Sequence, residues 1–210
     1  MYARVHTAPR SATPLRDGLR EVWSQPGLPF MVIGFALVST FTYNYLVGFP
    51  LLIDQRLGAE PEMFGWMLTL MSAGNVVGSL TAARLTQATR GFIFRAATWL
   101  GVSLTVVSLS TSLPLTFAFA AIMGMGSTAF VNGMTIHVQQ RTDPQARGRV
   151  LALTTVIFQG STPIGAPITG VIGDSIGAVA ANLYGAIAAL LFVAAGLIDR
   201  QRRRGVQPAA

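Results

Sequence analysis

Ser127 sits in the run Gly124-Met-Gly-Ser-Thr128, and His137 follows it on the same apolar stretch. A serine beside a histidine is the pairing that covalent acyl transfer uses, with the imidazole taking the hydroxyl proton. The spacing defeats it here. Ten residues of helix separate the two side chains by about 15 Å along the axis, and the other histidine, His6, lies in a basic N-terminal segment. There is no cysteine, which removes thiolate metal sites and disulfides. The acids cluster only in Asp54-Gln-Arg-Leu-Gly-Ala-Glu60-Pro-Glu62, so no carboxylate pair is placed for metal-assisted or acid–base work. The chain therefore reads as a protein that is not an enzyme, with no metal and no cofactor. His137 has two readings: a proton carrier, since its reference pKa is about 6.5, or, more simply, a solvated histidine next to a loop.

The remaining chemistry is uncharged. Tyr43, Asn44 and Tyr45 fall together inside one apolar run, Asn132 and Thr135 inside another, and Gln159 inside a third; Asn75, Asn182 and Tyr184 are similarly placed. A polar side chain in hydrocarbon needs a hydrogen-bonding partner or water. These groups either tie helices together or line a wet cavity. With Phe, Met and Tyr around them, such a cavity would suit an apolar or amphipathic solute held by few polar contacts.

The elements that carry these residues are long. Of 210 residues, 51% are hydrophobic and 11% charged, well below the roughly 25% charge of a soluble domain. Six apolar runs, at about 28–53, 63–83, 92–110, 115–138, 150–172 and 177–198, each approach the roughly 20 residues that cross a bilayer core. Six helices leave no length for a separate soluble domain. The fold class is thus an all-α membrane protein of six transmembrane helices. Three plus three spans would form two inverted repeats, a construction many transporters share.

Arginine orients them. The chain has no lysine, and fourteen of its fifteen basic residues fall on one side of the six runs: 4, 10, 16, 20; 84, 90, 95; 141, 147, 149; and 200, 202, 203, 204. Arg56 is the exception. An excess of basic residues marks the cytoplasmic side, so both termini are expected inside a prokaryotic plasma membrane. The net charge of +7 then reflects topology and attraction to anionic headgroups, not nucleic acid. Residues 1–27 lack a signal-peptide pattern. Leu15, Leu19, Val22 and Trp23 recur there at helical spacing, which suggests an amphipathic helix on the inner membrane face. Residues 199–210 form a basic tail.

Packing and hinging signals lie in two runs. Gly74 and Gly78 have the spacing that brings helix backbones together. In Gly160-Ser-Thr-Pro-Ile-Gly-Ala-Pro-Ile-Thr-Gly170, Gly165 and Gly170 bare one side while Pro163 and Pro167 each remove a backbone donor. Tight packing with a kink is the simple expectation, and a bend that moves during a conformational cycle is the sharper one. The inner loops hold Arg84 and Arg90, and Arg141-Thr-Asp143-Pro-Gln-Ala-Arg147-Gly-Arg149. Those arginines anchor the topology, or pair with Asp143 and helix C-termini to close the inner face as a gate.

The stretch Gly126–Asp174, with its polar fourth span, the loop DPQARGRVLAL and the run GSTPIGAPITGVIGD, resembles the major facilitator superfamily, in particular drug and siderophore exporters similar to the enterobactin exporter. LRDGLREVWSQPGL at 15–28 is similar to the end of that family's central cytoplasmic loop. The resemblance implies the carboxy-terminal six-helix half of a twelve-span transporter. It implies a cavity lined by the first and fourth helices of the half, hence Tyr43, Asn44, Tyr45, Asn132 and Thr135. The family's charged motif after the second helix of a half maps onto Gly78-Ser-Leu-Thr-Ala-Ala-Arg84, where its aspartate is missing. The implied function is proton-coupled export of small hydrophobic or amphipathic compounds such as drugs or siderophores. The implied partners are the lipid bilayer, the solute, and an N-terminal half or a second copy. The alternative is a truncated fragment or helper subunit without transport of its own. Proton coupling in the family runs through buried acids, which this stretch lacks.

Overall fold

The computed structural model describes residues 14–205; His6, Arg4 and Arg10 lie outside the described residues. Helix α1 (Pro14–Ser24) begins at proline, whose fixed φ suits a first turn. It buries Val22 and leaves Leu15, Leu19 and Trp23 exposed. Gly18 lets α1 approach the backbone carbonyl of Arg149, which a Cβ would meet at 2.9 Å, and Asp17 faces the Arg149 guanidinium at 3.9 Å.

The first apolar run is expected as one helix. It is two: α2 (Leu28–Thr42) and α3 (Tyr45–Gln55), interrupted at Tyr43 and Asn44. The usual breaker in this run, Pro50, lies within α3 instead. At the interruption the Asn44 side chain replaces the backbone, its Nδ2 donating to the Thr40 carbonyl at 2.6 Å. A continuous helix would satisfy that carbonyl with the Asn44 N–H.

Helices α4 (Glu62–Ala83), α5 (Arg90–Leu109), α6 (Leu113–Arg141), α7 (Arg147–Ser175) and α8 (Ala178–Gly205) follow with short connections. Five helical segments are long and apolar enough to cross a membrane: Leu28–Gln55, Glu62–Ala83, Arg90–Leu109, Leu113–Arg141 and Ala178–Arg202. The 29-residue α7 is also long enough, but its proline, glycine, serine and threonine content keeps it out of that group. It runs unbroken through Pro163 and Pro167.

Small residues set the packing. Gly74 and Gly78 of α4 lie on the backbone of Ala121 and Met125 in α6, and Gly124 of α6 lies on the Met71 carbonyl, so a Cβ at any of the three would overlap the opposing chain. On the other side of the bundle α7 and α8 pack on α2 and α3, while α5 bridges α6 and α8. A phenyl cluster joins these layers: Phe35 stacks on Phe158 at 5.9 Å and meets Phe130 at 5.8 Å, and Phe130 meets Phe192 at 6.0 Å.

The loops gather at two ends. One end collects α1 and the 84–90 and 141–147 loops with the last turns of α8. There Arg90 pairs with Asp199 at 3.4 Å and donates to the Gly27 carbonyl at 2.8 Å. Gly27 has φ +78°, and a side chain would strike that guanidinium. At the opposite end, Arg56 donates to the Leu109 carbonyl at the C-terminus of α5 (3.0 Å). The arginine that departs from the charge pattern is thus a helix cap.

Candidate functional site

The break between α2 and α3 supplies a polar node in an otherwise apolar bundle. Asn44 is 5% exposed. Beyond its bond to Thr40, its Nδ2 donates to the Tyr184 hydroxyl of α8 at 3.3 Å. Tyr184 in turn shares a short hydrogen bond with Thr169 of α7. Gly165, one turn before Thr169, lies so close to the Thr40 carbonyl and the Asn44 amide that a Cβ could not fit. The Asn44 Oδ1 is buried and accepts no hydrogen bond.

Neighbouring bonds extend the node. The Thr42 hydroxyl donates to the Gly185 carbonyl at 2.9 Å, and Asn182 Nδ2 donates to the Gly48 carbonyl at 2.9 Å. Tyr43 turns the other way, donating to the Ser127 carbonyl of α6 at 3.0 Å while its ring meets Phe158 edge-on at 5.2 Å. Ser127 therefore serves through its backbone, and no hydrogen bond joins it to His137.

The remaining candidates separate. Tyr45 is half-buried with its ring against Phe49. Thr135 bonds back to the Val131 carbonyl at 2.9 Å. Asn132 is half-buried and Gln159 exposed, and neither amide has a hydrogen-bond partner among the described residues. Asn44 thus stands in an interhelical network, whereas Asn132 and Gln159 present open amides. Tyr184 and Asn182 stand out in the sequence as polar residues in an apolar run. Gly165, read in the sequence as a packing residue, joins the node, and Thr42 and Thr169 join it through contacts between distant segments that no local pattern announces.

The loops at the arginine end are pinned to the helices. His137 is buried, 3% exposed, which corrects the expectation of a solvated surface histidine. Its Nδ1 lies 2.8 Å from the Ala88 carbonyl, and Gln140 bonds to both Ala88 N (3.2 Å) and the Thr86 carbonyl (3.1 Å). The 84–90 loop is therefore held on the end of α6. Arg147 Nε donates to the Gln139 carbonyl near the end of α6 at 3.1 Å, and Asp143 accepts from Gln145 N at 3.1 Å with no ion pair to Arg147. Arg84 is exposed at the end of α4. On α7, Pro163 is exposed, Pro167 likewise, and Gly170 faces open space.

The described residues thus form an α-helical bundle of apolar helices with a node of small and polar residues at a broken helix, and hold no group of three or more metal-ligating side chains. The family model of the Major Facilitator Superfamily matches residues 31–210. The chain belongs to the major facilitator superfamily of transporters. It is 33% identical over 170 residues to the multidrug efflux pump Tap of Mycolicibacterium fortuitum, an alignment that covers 77% of this chain and 40% of Tap. The chain thus spans well under half the length of that relative. No solved structure matches it. As a major facilitator chain with several membrane-crossing helices, it is a multi-pass membrane protein.

Proposed function

We propose that the chain forms the six-span, carboxy-terminal half of a proton-coupled exporter of small hydrophobic or amphipathic compounds. The observation that carries this is the pair of open amides, Asn132 on α6 and Gln159 on α7. In hydrocarbon an unpaired amide costs several kcal/mol, so these positions face water or a solute. In this reading they line a cavity with Tyr43, Tyr45 and Thr135, all half-buried. An N-terminal half, or a second copy, closes that cavity. The likeness to a multidrug efflux pump favours export of apolar compounds.

The sixth span in this reading is α7. Its length suits a bilayer, and its low hydropathy fits a helix that faces a wet cavity and not lipid. Packing supports two inverted repeats. Exchange α2–α3 with α6, α4 with α7 and α5 with α8: α4 on α6 becomes α7 on α2–α3, α5 on α6 becomes α8 on α2–α3, and α5 on α8 maps onto itself. The arginine end is cytoplasmic, with α1 along the membrane surface; Arg90, Arg147 and Arg149 hold that end closed through Asp199, Gln139 and Asp17, while Arg84 and Asp143 remain at the rim. No acid lies in the middle of α2 to α8, so in this reading the protonated acid that couples transport lies in the partner half.

Dye accumulation in bacterial cells stripped of their own efflux pumps tests the reading. Cells expressing the chain, with or without a co-expressed N-terminal half, should accumulate less ethidium than cells without it, and a protonophore should abolish the difference. Equal accumulation in every strain would sink the proposal.

A further inference from the structure

Two grooves flank α5 at the arginine end, and Arg95 lines both. The larger, about 990 Å³, lies between α5 and α8. Its floor is apolar: the Phe94 ring lies directly over Gly196, where a Cβ could not fit, with Val193 and Leu197 alongside. Its rim carries Arg90, Arg95 and Arg200 against one acid, Asp199; three positive groups less one negative leave an excess of two. Arg90 and Asp199 bind each other. Arg95 and Arg200 are exposed and make no ion pair or hydrogen bond among the described residues. On the far side of α5 the second groove, about 500 Å³, descends from Arg95 past Trp99 and Met125 with almost no polar lining.

Arg95 lies five residues into α5, about 7.5 Å below the helix start, at the depth where a long cationic side chain reaches up to headgroups. A soluble anion would meet the rim but has no use for two apolar grooves beneath it. A solute cation is repelled. A molecule with a negative head and apolar tails matches both halves of the feature, and basic pockets between membrane helices are suited to acidic lipid heads.

We propose that the α5–α8 end of the protein is a binding site for one anionic phospholipid, its phosphate on Arg95 and Arg200 and an acyl chain along the Phe94–Val193–Leu197 groove. The site rests on the membrane location of the chain and is independent of what the cavity transports. It would fasten α5 to α8 at the arginine end of the bundle.

Native mass spectrometry of the purified chain, titrated with phosphatidylglycerol or phosphatidylcholine, tests it. Phosphatidylglycerol should bind roughly tenfold more tightly, since two guanidinium groups address its net charge. The Arg95→Gln/Arg200→Gln variant should bind both lipids equally. Arg56→Gln, at the other end, should keep the preference. Both substitutions of the pair are at exposed positions, and the comparison of lipids on the unaltered chain stands on its own. Equal affinity of the unaltered chain for the two lipids would overturn the proposal. So would equal loss of preference in Arg56→Gln. Displacement of the lipid by an equal concentration of inorganic phosphate would show a plain anion site, and the lipid assignment would fall.

Discussion

Asn44 and Asn132 are the same residue type in similar apolar runs, yet the structure gives them opposite circumstances. Asn44 is enclosed and bonded to Thr40 and Tyr184. Asn132 is half-exposed with an open amide. Asn44→Leu strands the Thr40 carbonyl and should destabilise the protein by about 1–3 kcal/mol, seen as a lower melting temperature by circular dichroism in detergent. Asn132→Leu should leave melting unchanged and weaken binding of an amphipathic dye. Equal melting losses in both would return Asn132 to a structural role. Gly165 and Gly170 make a second contrast. Gly165→Ala forces a methyl onto the Thr40 carbonyl and should cost about 1–3 kcal/mol, while Gly170→Ala enters open space and should be neutral or stabilising by about 0.5–1 kcal/mol. The presence of polar groups in the runs was legible in the sequence. Their sorting into bonded and open was not, because Tyr184 reaches Asn44 across more than a hundred residues of chain.

At the scale of elements, charge and apolar length were legible and continuity was not. Runs of about twenty apolar residues marked the helices well. The break at Tyr43–Asn44 escaped because Pro50, the residue that advertises a break, is accommodated inside α3, while the Asn44 side-chain amide, six residues before it, takes over the backbone's role. The prolines of α7 are the converse: both are carried in a helix without interruption. His137 misleads for a related reason. Its neighbours in sequence are a loop, but the 84–90 loop folds over it. His137→Ala should release that loop, so trypsin should cut after Arg84 or Arg90 several-fold faster in detergent. Unchanged cleavage would mean the loop is held without the Ala88 contact.

Across the whole molecule, the arginine pattern and the packing describe one object: a helical bundle with a basic end and an apolar waist. Among the described residues, the arginine clusters mark the basic end, and Arg56, the exception, is explained by the α5 carbonyl it caps. The absence of cysteine makes the orientation directly measurable. Asp174→Cys in intact cells should react with a membrane-impermeant maleimide, whereas Gln87→Cys should react only after lysis; the reverse would invert the membrane orientation. The proposed cavity is what would tie architecture to transport, since it gives the amides of Asn132 and Gln159 water, a solute or a second half to meet. Reconstitution into vesicles with an imposed proton gradient tests that connection most directly. The chain, paired with an N-terminal half or packed densely enough for copies to pair, should drive ethidium against its gradient, and Asn132→Leu should slow it without lowering the melting temperature. Dye movement that is absent, or that ignores both the proton gradient and the Asn132 substitution, would contradict the account.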